Sequence, residues 1–152
     1  MTCKSNGFTL IEIILTMSLI AITSMISAPI LIDSSRRNDL DISINTAVVA
    51  ARRANLLARS SEGGRSWGVH FEGPQLTIFK CPSVGDCTYQ GRLASDTDFD
   101  EQFVISSAIS ISGTVDYVFE KITGYTTGGS TNFINNNDTK SVSINPNGLV
   151  NY

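Results

Sequence analysis

An apolar run of about 25 residues, Phe8 to Ile32, constrains this chain more than anything else in it, and it is interrupted near its start by one carboxylate, Glu12. As a helix rising about 1.5 Å per residue, the run is long enough to cross a hydrocarbon core of roughly 30 Å. An ionised carboxylate in that medium costs roughly 2.5 kcal/mol or more even on permissive insertion scales, so Glu12 calls for a partner that neutralises it. A secretory signal peptide does not account for the run. Lys4 supplies a positive leader, but the run exceeds an h-region of about 7–15 residues, and its small-residue candidate for cleavage, Ile26-Ser27-Ala28, lacks a small residue two before Ala28 and is followed at once by Pro29. A plain single-span anchor accommodates everything except Glu12.

Beyond Asp33 the sequence turns polar, rich in Ser, Thr, Asn and Gly. Leu40, Ile44, Ala47, Val48, Ala51, Ala54, Leu57 and Ala58 nevertheless recur at spacings of three and four, the signature of an amphipathic helix that continues the apolar one. Glu62-Gly63-Gly64 supplies its stop. The period then changes to two. Trp67, Val69 and Phe71 alternate with Gly68, His70 and Glu72, Gly73-Pro74 turns the chain, and Leu76 to Lys80 runs back as a hairpin. Further strands are expected at Phe103–Ile111, Val115–Lys121, Ser141–Asn145 and Gly148–Tyr152, the last two joined by Asn145-Pro146-Asn147. The stretch Thr123–Lys140 is too polar for core and reads as an exposed loop. The expected fold class is α+β: a long N-terminal helix whose amphipathic half packs on one face of an antiparallel sheet.

Three cysteines leave one over if all are retained. Cys3 precedes the apolar run, whereas Cys81 and Cys87 flank Pro-Ser-Val-Gly-Asp. If the leader is removed, the remaining two either close a short loop as a disulfide outside the membrane or stay as two thiols in a strand-turn region. With one distant histidine they make a poor zinc set.

The hexapeptide Gly7-Phe8-Thr9-Leu10-Ile11-Glu12 resembles, without a mismatch, the processing motif of type IV prepilins and of the pseudopilins of type II secretion. A short polar leader, a glycine before the cut, a phenylalanine after it, and a glutamate at the fifth mature position ahead of about twenty apolar residues all coincide. The resemblance implies cleavage between Gly7 and Phe8 by a prepilin peptidase and methylation of the new Phe8 amine. It also implies an assembly role for Glu12, pairing with the Phe8 amine of a neighbouring subunit, an ion pair strongly favoured over an unpaired charge in an apolar bundle. Pro29 falls where many pilins carry a helix-breaking proline, and there it implies a kink. Ser66-Trp-Gly-Val-His-Phe71 and Ser141-Val-Ser-Ile-Asn-Pro-Asn-Gly-Leu-Val150 are similar to the GspH/FimT type of minor pilin or pseudopilin.

The implied organisation is a leader (1–7), a transmembrane and assembly helix (8–32), an amphipathic helix (33–62) and a β domain (63–152). The implied partners are other pilin or pseudopilin subunits, the prepilin peptidase and an inner-membrane assembly platform. The implied location is the bacterial inner membrane, with the C-terminal domain outside the cytoplasm, and then a pilus or pseudopilus. The competing expectation is a membrane-anchored binding module that captures DNA or a surface ligand and never polymerises.

No nucleophile motif, phosphate loop or paired metal-ligand motif is present, so neither an enzyme nor a cofactor is expected. His70, the single histidine, reads as solvent-facing or structurally satisfied. Asp96-Thr-Asp98-Phe-Asp100-Glu101 begins like a calcium loop but has Glu101 where the sixth position needs glycine and Ser107 where the twelfth needs glutamate, so no metal site is assigned. Loss of Lys4 would leave ten basic against fourteen acidic residues, with Arg36, Arg37, Arg52, Arg53, Arg59 and Arg65 gathered along the helix and four bases against nine acids after it. That acidic β domain makes DNA an improbable partner. The arginines are expected to meet Asp39, Asp41 or acids of neighbouring subunits.

Overall fold

A computed structural model describes residues 7–82, 87–92, 94–136 and 138–152, with all their side chains except those of residues 25–34 and 36. The chain divides into two units, Met1–Arg36 and Arg37–Tyr152. Helix α1, Leu10–Arg59, runs through both.

In the first unit α1 is apolar on every side, and ten large apolar side chains between Phe8 and Ile22 are 46–80 % exposed. Among the described residues no helix is long and apolar enough to cross a membrane. The continuous stretch of described side chains stops at Ser24, short of the about 20 residues a span requires. Pro29 belongs to α1, but its expected kink falls on side chains outside the described residues.

In the second unit the three-and-four spacing does what it predicts. Leu40, Ile44, Ala47, Val48, Ala51, Ala54 and Ala58 are buried and Leu57 packs against them. The four alanines on this stripe leave room for the sheets to approach the helix closely. The helix ends at Arg59, and the left-handed residue that follows is Ser61 (φ 55°), ahead of a short 3₁₀ turn, Glu62–Gly64, in which Gly63 and Gly64 also have positive φ. The two glycines thus continue the turn, and a serine begins it.

Eight strands follow: β1 Trp67–Glu72, β2 Gln75–Lys80, β3 Glu101–Val104, β4 Ser110–Gly113, β5 Asp116–Phe119, β6 Gly129–Asn135, β7 Asp138–Ile144 and β8 Val150–Asn151. They form two antiparallel sheets, ordered β3-β2-β1-β5 and β4-β6-β7-β8. The β1–β2 hairpin turns at Gly73-Pro74 with Trp67 opposite Lys80 and Glu72 opposite Gln75. Two expectations need correction. The single strand foreseen at Phe103–Ile111 is two short strands in different sheets, with the chain crossing between them at buried Ile105 and Ile109. The loop foreseen at Thr123–Lys140 contains β6, an interior strand of the second sheet, and the first residues of β7. Its inward residues are Thr131, Phe133 and Asn135, and the polar ones are buried at tolerable cost because they are bonded: the Thr131 hydroxyl meets Tyr117 Oη at 2.9 Å and also donates to the Thr114 carbonyl.

Phe71 ties the layers together. Fully buried, it lies 5.6 Å from the Tyr117 ring in its own sheet and 6.1 Å, edge-on, from Phe133 in the other. Ion pairs close the helix against the sheets. Arg53 binds Glu101, Arg37 lies 3.5 Å from Asp138, and Lys140 binds Asp41. Asp41 is therefore taken by a lysine of β7, and the arginines that form ion pairs within the described residues, Arg37, Arg53, Arg65 and Arg92, do so with β-domain acids and not with Asp39 or Asp41.

Candidate functional site

Gly7, Phe8 and Thr9 precede α1 without regular secondary structure, and all are exposed. Met1 to Asn6, including Cys3 and Lys4, lie outside the described residues. The Gly7–Phe8 bond therefore sits in non-helical chain two residues ahead of the helix. Nothing lies within 4 Å of where a Gly7 side chain would begin, so no packing within this chain demands glycine there.

Glu12 occupies the first turn. Thr9 is the N-cap: its carbonyl accepts from the Glu12 and Ile13 amides at 3.1 and 3.3 Å, and its hydroxyl accepts from the Glu12 amide at 3.4 Å. Thr9-x-x-Glu12 has the spacing of a capping box, a sequence signal for Thr9 that is independent of the processing motif. A carboxylate in the first turn also meets the positive end of the helix dipole. The cap fixes where the helix starts, and so fixes Phe8 just outside it and Glu12 one turn in. Further along, Thr16 and Ser18 donate to the carbonyls of Ile13 and Ile14, and Thr23 and Ser24 to those of Leu19 and Ile20. Each hydroxyl is satisfied by its own helix, so an apolar surrounding costs these residues little.

In the second unit Cys81 and Cys87 are bonded to each other, with Cα atoms 5.1 Å apart. The described chain beyond them covers the outer face of β1 and β2. Tyr89 stacks on His70 with ring centroids 4.0 Å apart, meets Phe79 edge-on at 5.5 Å, and carries the Arg92 guanidinium 3.8 Å above its ring. Gly68 must be glycine here, because a Cβ would lie 2.4 Å from the Phe79 ring. His70 is buried, with Nδ1 2.5 Å from Asp116 and Nε2 3.1 Å from Glu72. Both ring nitrogens are engaged and the ring face is covered, which makes it a packing residue satisfied by its neighbours.

The acidic run is likewise spent on structure. Asp96 takes Arg65 at 2.9 Å, Asp100 takes Arg92 at 2.9 Å, and Glu101 takes Arg53. The Arg53 guanidinium is held above its usual range by the hydrogen bond to Glu101 and the attraction of its charge. Burial pushes the Asp100 carboxyl upward, against the opposing pull of Arg92. Among the described residues no three of His, Cys, Asp and Glu converge so as to hold a metal ion.

Comparison with known proteins bears on both ends of the chain. Residues 2–28 match the prokaryotic N-terminal methylation motif. No curated protein sequence matches the chain. The fold is similar to that of the minor pseudopilin EpsH from the type 2 secretion system of Vibrio cholerae, with a TM-score of 0.53 at 13 % identity, over 74 % of this chain and 94 % of that one. The chain thus joins an N-terminal methylation motif to a fold similar to that of a minor pseudopilin.

Proposed function

We propose that the chain is a minor pilin-like structural subunit, cut between Gly7 and Phe8, N-methylated on Phe8 and assembled by bundling of its N-terminal helices into a type IV pilus or a type II secretion pseudopilus. The observation that carries this reading is the methylation motif laid on an exposed, capped helix start whose large side chains are all apolar apart from Glu12. Cleavage in the non-helical chain would expose the Phe8 amine beside the helix entrance, the cation that Glu12 of a neighbour needs. The prepilin peptidase, the inner-membrane platform and the other subunits enter as partners of that process, and the apolar run to Ile32 serves as the membrane anchor until assembly. The self-bonded hydroxyls of Thr16, Ser18, Thr23 and Ser24 suit both surroundings, lipid and helix bundle.

Glu12→Ala in producing cells tests the assembly step. Membrane insertion is expected to persist while incorporation into filaments falls at least tenfold. Unchanged incorporation would contradict the pairing.

A further inference from the structure

Within the second unit α1 has a second apolar line. Ile42, Val49 and Leu56 are 63, 55 and 63 % exposed, on the side of the helix away from the buried stripe, and seven residues apart. That interval puts them in one row along the axis, one position of a coiled-coil seam. A helix that only plugged its own domain would carry polar residues there. Three positions beyond each member of the row come Asn45, Arg52 and Arg59, all exposed; four beyond come Thr46, Arg53 and Ser60. Among the described residues Arg53 is paired with Glu101, whereas no acid pairs with Arg52 or Arg59.

The charges choose the occupant. Subunits anchored by their N-terminal helices in one membrane meet in parallel, an orientation that rests on the function proposed above. A parallel, in-register second copy would set Arg52 and Arg59 beside their own counterparts, with no carboxylate on either flank. A stagger of two heptads would bring Asp39 to the level of Arg53, but would leave one apolar pair, Leu56 with Ile42, in contact. Self-pairing through this face is therefore disfavoured: in register and at a stagger of one heptad, where Arg52 meets Arg59, because like charges across a helix pair repel, and at two heptads because a single apolar pair remains. We infer that the Ile42–Val49–Leu56 row is a docking face for a parallel helix of a different subunit, one that carries apolar residues at seven-residue spacing flanked by Asp or Glu at the level of Arg52 and Arg59.

The test uses the full chain in producing cells, with a photoreactive residue in place of Val49 and cleavage at Gly7 followed in the same samples. The expected result is a crosslink whose partner peptide, identified by mass spectrometry, comes from another chain with that apolar and acidic pattern. The same crosslink should weaken at least tenfold in the Arg52→Glu, Arg59→Glu double variant. A crosslink to this chain's own α1, or none from correctly processed and incorporated protein, overturns the inference and leaves the subunit reading intact. Absence of cleavage at Gly7 overturns both, since the docking face is argued for an assembled subunit and assembly rests on that cut.

Discussion

The two halves of α1 share one backbone and meet opposite surroundings. From Leu10 to Ile22 apolar residues occupy every side of the helix and all the large ones are exposed; from Leu40 to Ala58 one apolar stripe is buried and only the row Ile42, Val49 and Leu56 on the opposite side is exposed. Periodicity is the difference. A helix that will face one partner needs one apolar face, whereas a helix apolar all round needs an apolar medium on all sides. Burying a large apolar side chain is worth about 1.5–3 kcal/mol, so ten of them between Phe8 and Ile22 represent a large unspent driving force for insertion or bundling. The domain half has spent its main stripe inside the fold.

Truncation on the two halves should therefore separate sharply. Phe71→Ala, which removes the ring linking both sheets, is expected to cost about 3–5 kcal/mol in chemical unfolding followed through Trp67 fluorescence. Ile14→Ala, an apolar truncation on the arm, should move the same transition by about 0.5 kcal/mol or less. An equal effect of the two would mean that the arm is part of the domain core.

A smaller effect is expected from the covalent loop. Cys81→Ser with Cys87→Ser should cost about 2 kcal/mol in the chain-entropy picture and loosen the Tyr89 cover over His70. Hydrogen exchange in β1 and β2 would detect it, and unaltered protection there would show the cover to be held by its ion pairs alone.

The smallest effect is one of sign. The folded-state carboxyl of Asp100 is raised, so the folded chain binds that proton more readily than the unfolded chain. Its contribution to stability is then greatest at low pH and diminishes as pH rises from the ordinary aspartate value through the raised one. Asp100→Asn should flatten that part of the stability profile. A wild-type profile rising through the same window on account of Asp100 would contradict the burial described.

The sequence made the helix stripe and the first hairpin legible because each pairs a strong period with a clear stop: eight apolar positions from Leu40 to Ala58, and Gly73-Pro74 between two alternating runs. The second sheet was harder to foresee. Its interior strand β6 turns Thr131 and Asn135 inward beside Phe133, and a buried threonine satisfied by Tyr117 and the Thr114 carbonyl looks, in one dimension, like loop. The division of Phe103–Ile111 between two sheets was hidden for a related reason: Ile105 and Ile109 are buried at a crossing, and their apolar character read as strand. At the site, Gly7, Phe8 and Glu12 stood out as residue types out of place. Thr9 did not, because a threonine before a helix is ordinary; its spacing from Glu12 is the one sequence signal of a capping role that the bonds it accepts make plain.

The central claim is that Phe8 is the first residue of the working protein. Intact-mass and N-terminal sequence measurements on the chain recovered from producing cells test it directly. The account predicts a chain that begins with N-methylated Phe8 and lacks Met1 to Gly7; a chain that retains Met1 would contradict it.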